Sequence, residues 1–86
     1  MFSKRKNNTL MFINKNERNT PIHMFFVFFP IDIFWLNKNK EVVYVKRNAR
    51  PFTLINPKVK SKYVIETPVN SNKNIRIKDQ LNFDEY

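Results

Sequence analysis

The feature that most constrains this chain is the run from Ile22 to Leu36, which is apolar at nearly every position and is broken by Pro30 and Asp32. Laid out as a strand, one face carries Phe25, Val27 and Phe29 and the other carries Phe26 and Phe28. Both faces then need cover, as in a strand buried on both sides of its sheet. The apolar stretch 24–36 falls well short of the roughly 20 residues a spanning helix needs, so it reads as core. Pro30 donates no ladder hydrogen bond, so a bulge or bend is expected there, with the strand resuming over 31–36. A chain of 86 residues makes one small domain, and at that size about 60% of the unfolded surface is buried, so the core is thin. Nine Phe, three Tyr and one Trp supply much of it, each aromatic burying about 150–250 Å².

The rest of the chain reads as short strands and polar turns. Leu10 to Ile13 is a brief strand, and Asn14 to Pro21 a polar loop. Asn37-Lys38-Asn39-Lys40 separates two β-branched and aromatic runs, a hairpin pattern that makes Glu41 to Lys46 the return strand. Arg47 to Pro51 reads as a loop, and Phe52 to Ile55 as a short strand stopped by Asn56-Pro57. Lys58 to Glu66 alternates, with Val59, Ser61, Tyr63 and Ile65 on one face and Lys58, Lys60 and Lys62 on the other. Ile75 to Ile77 and Leu81 to Phe83 flank a turn at Lys78-Asp79-Gln80. No window shows a helical period. The expected architecture is mainly β, with little or no helix: a small antiparallel sheet rolled into a partial barrel. It forms a single domain over 1–86, with 1–9 frayed and 84–86 a tail.

Composition removes whole classes of chemistry. Glycine is absent, which excludes the phosphate-cradling loops built on it. Cysteine is absent, which excludes disulfides, thiolate zinc sites and a cysteine nucleophile. His23 is the single histidine, so no metal and no cofactor is expected. Net charge is +9, which favours contact with nucleic acid or an anionic membrane surface. Thirteen Asn, eleven Lys and eight Ile against no Gly and one Ala is also what an AT-rich coding sequence produces, and that bland origin outweighs the functional one. The N-terminus is cationic, with no apolar stretch of about 7–15 residues behind it, so it is not a secretory signal. The expected compartment is the cytoplasm, with no membrane contact.

Four groups of residues carry candidate chemistry. Asp32 lies inside the apolar run, where a carboxylate needs a cation or backbone donors. It serves either the Pro30 bend or an ion pair with Arg50, and less favourably acts as an acid or base. His23, at the start of the same strand, is a weaker catalytic candidate. Arg47 and Arg50, near Tyr44 and Phe52, have the residue types to grip a phosphate and stack a base. Lys58, Lys60 and Lys62 either track a nucleic-acid backbone or protect an edge strand.

The run His23-Met24-Phe25-Phe26-Val27-Phe28-Phe29-Pro30-Ile31-Asp32-Ile33-Phe34-Trp35-Leu36 resembles the signature of the family called domain of unknown function 192. The order continues through Glu41-Val42-Val43, Arg50-Pro51-Phe52, Lys62-Tyr63-Val64-Ile65-Glu66 and Ile75-Arg76-Ile77-Lys78-Asp79-Gln80-Leu81. The resemblance covers about residues 10–83 and marks Pro30, Asp32, Pro51 and Asp79 as motif positions. It implies a compact β-rich fold with a small barrel-like sheet, and no reaction. Two departures stand out. Lys78 replaces a usual glycine, so the turn there must accept a side chain. The family's N-terminal segment is missing or reduced to Leu10-Met11, so either residues Phe2 to Ile13 fold over the gap, or the open edge pairs with a second copy, or the true chain begins upstream.

These readings converge on a non-catalytic binding module for a protein or small ligand near His23, Asp32 and Arg50. Nucleic-acid binding through Arg47, Arg50 and the three lysines is the first alternative, with weak non-specific affinity as its floor. An enzyme using Asp32 and His23 is the second.

Overall fold

The computed structural model describes residues 2–6, 9–23, 30–69 and 74–82. Seven strands are present: β1 (Phe2–Lys6), β2 (Thr9–Asn19), β3 (Ile22–His23), β4 (Ile31–Leu36), β5 (Val42–Ala49), β6 (Leu54–Ile55) and β7 (Lys60–Pro68). No helix occurs among the described residues. Five strands form one sheet in the order β1-β2-β7-β4-β5, and β3 pairs with β6 in a second, two-stranded ladder. Every pairing is antiparallel. The result is the expected mainly β fold with a partial barrel-like sheet, left open with β1 and β5 at its two ends.

β4 explains the core. All six of its residues are buried, because it lies inside the sheet between β7 and β5 and both its faces are covered. Ile31, Ile33 and Trp35 point into one cluster with Ala49, Ile55 and Val64, joined by Phe12, Ile22, Val43 and Tyr44. Phe34 and Leu36 point into a second with Val42 and Tyr63, joined by Met11, Ile13, Ile75 and Leu81. The strand expected over 31–36 is present and buried on both faces, while 24–29, the residues read as apolar on both faces, lie outside the described residues. The Trp35 indole N–H donates to the Thr20 carbonyl at 2.8 Å, so its one polar atom is satisfied in the core.

The hairpin at 37–40 forms as expected. Asn37 closes it, its side-chain oxygen accepting the backbone N–H of Asn39 at 2.9 Å and of Glu41 at 3.0 Å. Other expectations need correction. Residues 2–6, expected to fray, pair with β2 from Phe2↔Ile13 to Lys6↔Thr9. A polar composition does not prevent this, because an edge strand is held by its main-chain ladder and tolerates lysine well. β2 in turn pairs with β7, Leu10 to Ile13 lying opposite Glu66 to Tyr63, so the edge of β7 is covered there by β2 and β1 lies outside it.

The polar segment after Ile13 is no loop. β2 continues to Asn19 through a break in register, advancing from Ile13 to Arg18 while β7 moves only from Tyr63 to Ser61. Asn14, buried at that break, donates to the Thr20 hydroxyl at 2.7 Å and the Ser61 carbonyl at 3.2 Å. One buried amide thus stitches a polar strand to the sheet. The turn expected near Lys78 is present at 77–78, and residues 75–82 take part in one isolated bridge, Glu41↔Gln80. Lys78 does sit at φ 77°, the left-handed conformation a glycine would adopt more readily.

Candidate functional site

The site begins with two bulges in the β4–β5 ladder. The pairs Ile31↔Ala49 and Ile33↔Lys46 leave β5 one residue longer than β4 across that interval, and a second irregularity falls between Trp35 and Leu36. At the first bulge Asn48 takes φ 53°, a conformation Asn accepts more readily than most residues. Asp32 lies opposite. Its Oδ1 accepts the Asn48 backbone N–H at 2.8 Å, and its Oδ2 lies 3.4 Å from Arg47 Nη1. Arg47 also donates to the Ile75 carbonyl, and its guanidinium lies over the Phe34 ring, 5.2 Å from the centroid.

Asp32 is 2% exposed, and it holds the β5 bulge. This arrangement corrects two readings. The cation beside Asp32 is Arg47, not Arg50. Arg47 itself lies inside β5 rather than in a loop, because the bulge lets the strand run on to Ala49.

On the outer side of the bulge, β5 faces the segment that carries β6. Between them is a cavity of about 360 Å³, lined by Tyr44, Lys46, Asn48, Arg50, Thr53, Leu54, Ile55 and Asn56. Tyr44, Lys46 and Asn48 recur at every second position, so one strand supplies three of the eight lining residues. Arg50 and the segment from Thr53 to Asn56, which carries β6, supply the rest, and the Thr53 hydroxyl donates to the Arg50 carbonyl at 2.7 Å across the intervening turn. The Asn56 side-chain oxygen accepts from Asn19 Nδ2 at 3.0 Å and from the Lys58 N–H at 3.1 Å. Trp35 meets Tyr44 edge-on, with centroids 5.3 Å apart, and so fixes the floor of the cavity to the core. The lining holds two cations and no carboxylate, so an anion entering it meets attraction without a competing charge.

The other sequence candidates separate. His23 lies on β3 with its backbone opposite Leu54, next to the cavity wall; its side chain is outside the described residues. Lys58, Lys60 and Lys62 do not form one row. Lys58 precedes the strand at φ 59°, Lys60 is exposed, and Lys62 is half-buried with its ammonium 5.8 Å from the Tyr63 centroid. Nor is β7 an edge strand, since it lies between β2 and β4. Pro30 is exposed immediately before β4, and Pro51 is half-buried in its turn. Asp79 accepts the Arg76 N–H at 2.8 Å and shapes the turn that holds Lys78. Among the described residues, no group of three or more His, Cys, Asp or Glu comes together, and no helix is long and apolar enough to cross a membrane. Sequence reasoning passed over Lys46, Asn48, Thr53 and Asn56. For Lys46 and Asn48 the alternation with Tyr44 was the available signal; no local pattern pointed to Thr53 and Asn56.

What these strands define is a small, mainly antiparallel β protein with an open sheet and a cation-lined cavity at one end. The chain belongs to the family of domain of unknown function 192, described as Uncharacterized ACR, whose pattern matches residues 1–83. It is 45% identical over 71 residues to a UPF0127 protein of Thermococcus sibiricus, covering 80% of this chain and 46% of that protein. It is 35% identical over 81 residues to a UPF0127 protein of Thermococcus kodakarensis, covering 92% of this chain and 51% of that one. The chain therefore spans about half the length of the curated relatives it matches. Its fold is similar to the crystal structure of a protein of unknown function from Novosphingobium aromaticivorans, with a TM-score of 0.79 at 18% identity over 96% of this chain and 64% of that one.

Proposed function

We propose that this chain is a binding module whose ligand presents an anionic group to the β5 cavity, where Lys46 and Arg50 hold it. The observation that carries this reading is the lining itself: two cations, three polar side chains and Tyr44 around about 360 Å³. That volume is within the usual range of about 300–1,000 Å³ for ligand pockets. Asp32 supports the site from behind by pinning the bulge that carries Asn48. Its oxygens are already engaged by Asn48 and Arg47, which favours this supporting role over acid–base chemistry.

The test uses inorganic tripolyphosphate as a minimal polyanion. Added to the isotope-labelled protein at physiological salt, it should shift the amide resonances of residues 44–56 saturably, and the Lys46→Ala/Arg50→Ala variant should lose the effect. Unsaturable shifts spread over every lysine-bearing surface would refute a defined site.

A further inference from the structure

We infer that the anion taken by this cavity is the phosphate backbone of a single-stranded nucleic acid, with Phe52 as the platform on which a base stacks; this deepens the cavity reading and rests on it. Phe52 is 61% exposed and Leu54, two residues on, is 57% exposed. Leu54 lines the cavity, and Phe52 lies in the turn that links Arg50 to Thr53 in the same wall. The Phe52 backbone sits at φ 63°, and a bulky residue in that left-handed region is a steric outlier. Three of the chain's five described left-handed residues, Asn48, Phe52 and Lys58, fall on this stretch of 48–58. Strain of this kind persists only where the surroundings enforce it, and it concentrates at ligand sites.

The remaining chemistry selects the partner. Every nucleobase has a π-face, so an exposed ring beside a cationic groove is a sequence-tolerant stacking platform. Lys46 and Arg50 provide the groove charge. Asn48, Asn56 and Thr53 line the space between them, with amide and hydroxyl groups of the type that meet base edges and sugar hydroxyls. The cavity suits a single nucleotide unit rather than a duplex. An anionic lipid surface would use the cations and the two apolar side chains but would leave the concave amide lining without a role. A phosphorylated peptide would use the cations without any need for an exposed aromatic ring beside them.

Fluorescence anisotropy with a labelled short oligouridylate, against duplex RNA of equal charge, tests this on the full chain. The single strand should bind more tightly than the duplex. Phe52→Ala should weaken it roughly 5- to 150-fold, the range expected for losing one stacked base, while Phe52→Trp should restore binding. Lys46→Ala and Arg50→Ala should each reduce the slope of log affinity against log salt by about 0.7. Lys15→Ala, on the far strand β2, serves as the charge control and should leave the preference for single strands intact. Thermal melts and near-ultraviolet dichroism establish that each variant is folded. Equal affinity for duplex and single strand, or a folded Phe52→Ala variant that binds like wild type, would overturn the inference. Where tripolyphosphate still saturates residues 44–56 in that case, the cavity binds anions of another class. Where neither probe acts there, the cavity reading fails with it.

Discussion

Between Ile31 and Ile33 the strands β4 and β5 fall out of step, and Asp32 sits opposite the extra residue. The Asn48 N–H turned aside by the bulge would be left without an acceptor if Asp32 were truncated. Asp32→Ala should therefore destabilise the protein by about 1 kcal/mol, the low end of the cost of leaving a donor unmet, since this hydrogen bond is only part-buried. Asp32→Asn keeps an acceptor oxygen for Asn48 and should recover part of the loss. The Arg47 side chain is 37% exposed, so solvent screens the ion pair and its loss contributes little. Urea melts of the three proteins check the order; an alanine variant as stable as wild type would remove the carboxylate from the bulge. Lys78 offers the opposite test. A side chain in the left-handed region costs about 1–2 kcal/mol, while glycine loses about 0.5–1 kcal/mol through unfolded-state entropy. Lys78→Gly should thus stabilise by roughly 0.5–1 kcal/mol, raising Tm by several degrees in a domain of this size. No change or a fall in Tm would mean that the Lys78 side chain contributes more than its backbone costs.

The N-terminal hairpin lies at one end of the sheet, where β2 covers β7. Removing residues 1–13 would strip β1 and the half of β2 that pairs with Tyr63 to Glu66. It would also take Phe12 from one core cluster and Met11 and Ile13 from the other. The truncated chain should unfold at lower temperature or self-associate through the bared edge of β7. Sedimentation and a thermal melt read both outcomes, and a monomer of unchanged stability would show that the hairpin is dispensable. What sequence made legible here follows period and turn chemistry. The 37–40 hairpin, a strand over 31–36 and the strand character of Leu10 to Ile13 were all readable. Polar residues misled where one buried contact outweighed composition: Asn14 carries β2 through a segment that reads as a loop, and Asp32 carries β5 through Arg47 and Asn48. The candidate site was half legible for the same reason. Arg50 and Tyr44 stood out by residue type, but Lys46, Asn48, Thr53 and Asn56 meet only because a bulge on β5 faces the turn after it, and no local pattern encodes that pairing.

At the scale of the whole molecule, a net charge of +9 is confined to a body of 30 × 23 × 23 Å. The Debye length is about 30 Å at 0.01 M salt and about 8 Å at 0.15 M, so at low salt every charge feels every other. Self-repulsion then opposes compaction, and stability should rise as salt is added from low to physiological strength. Where the repulsion concentrates distinguishes a charge bias spread by codon usage from one kept at a site. Lys15 lies two residues from Glu17 on the same strand, and the Lys38 backbone N–H donates to the Glu17 carboxylate at 2.7 Å, so both lysines stand near an acid. Lys46 and Arg50 share a cavity with no acid in its lining. At low salt Lys46→Gln and Arg50→Gln should therefore raise Tm, Lys15→Gln and Lys38→Gln should lower it or leave it unchanged, and the difference should shrink at physiological salt. Melting all four variants at both ionic strengths checks this. A uniform response would mean the charge is spread evenly, and the cavity would hold no stored repulsion for a polyanion to relieve.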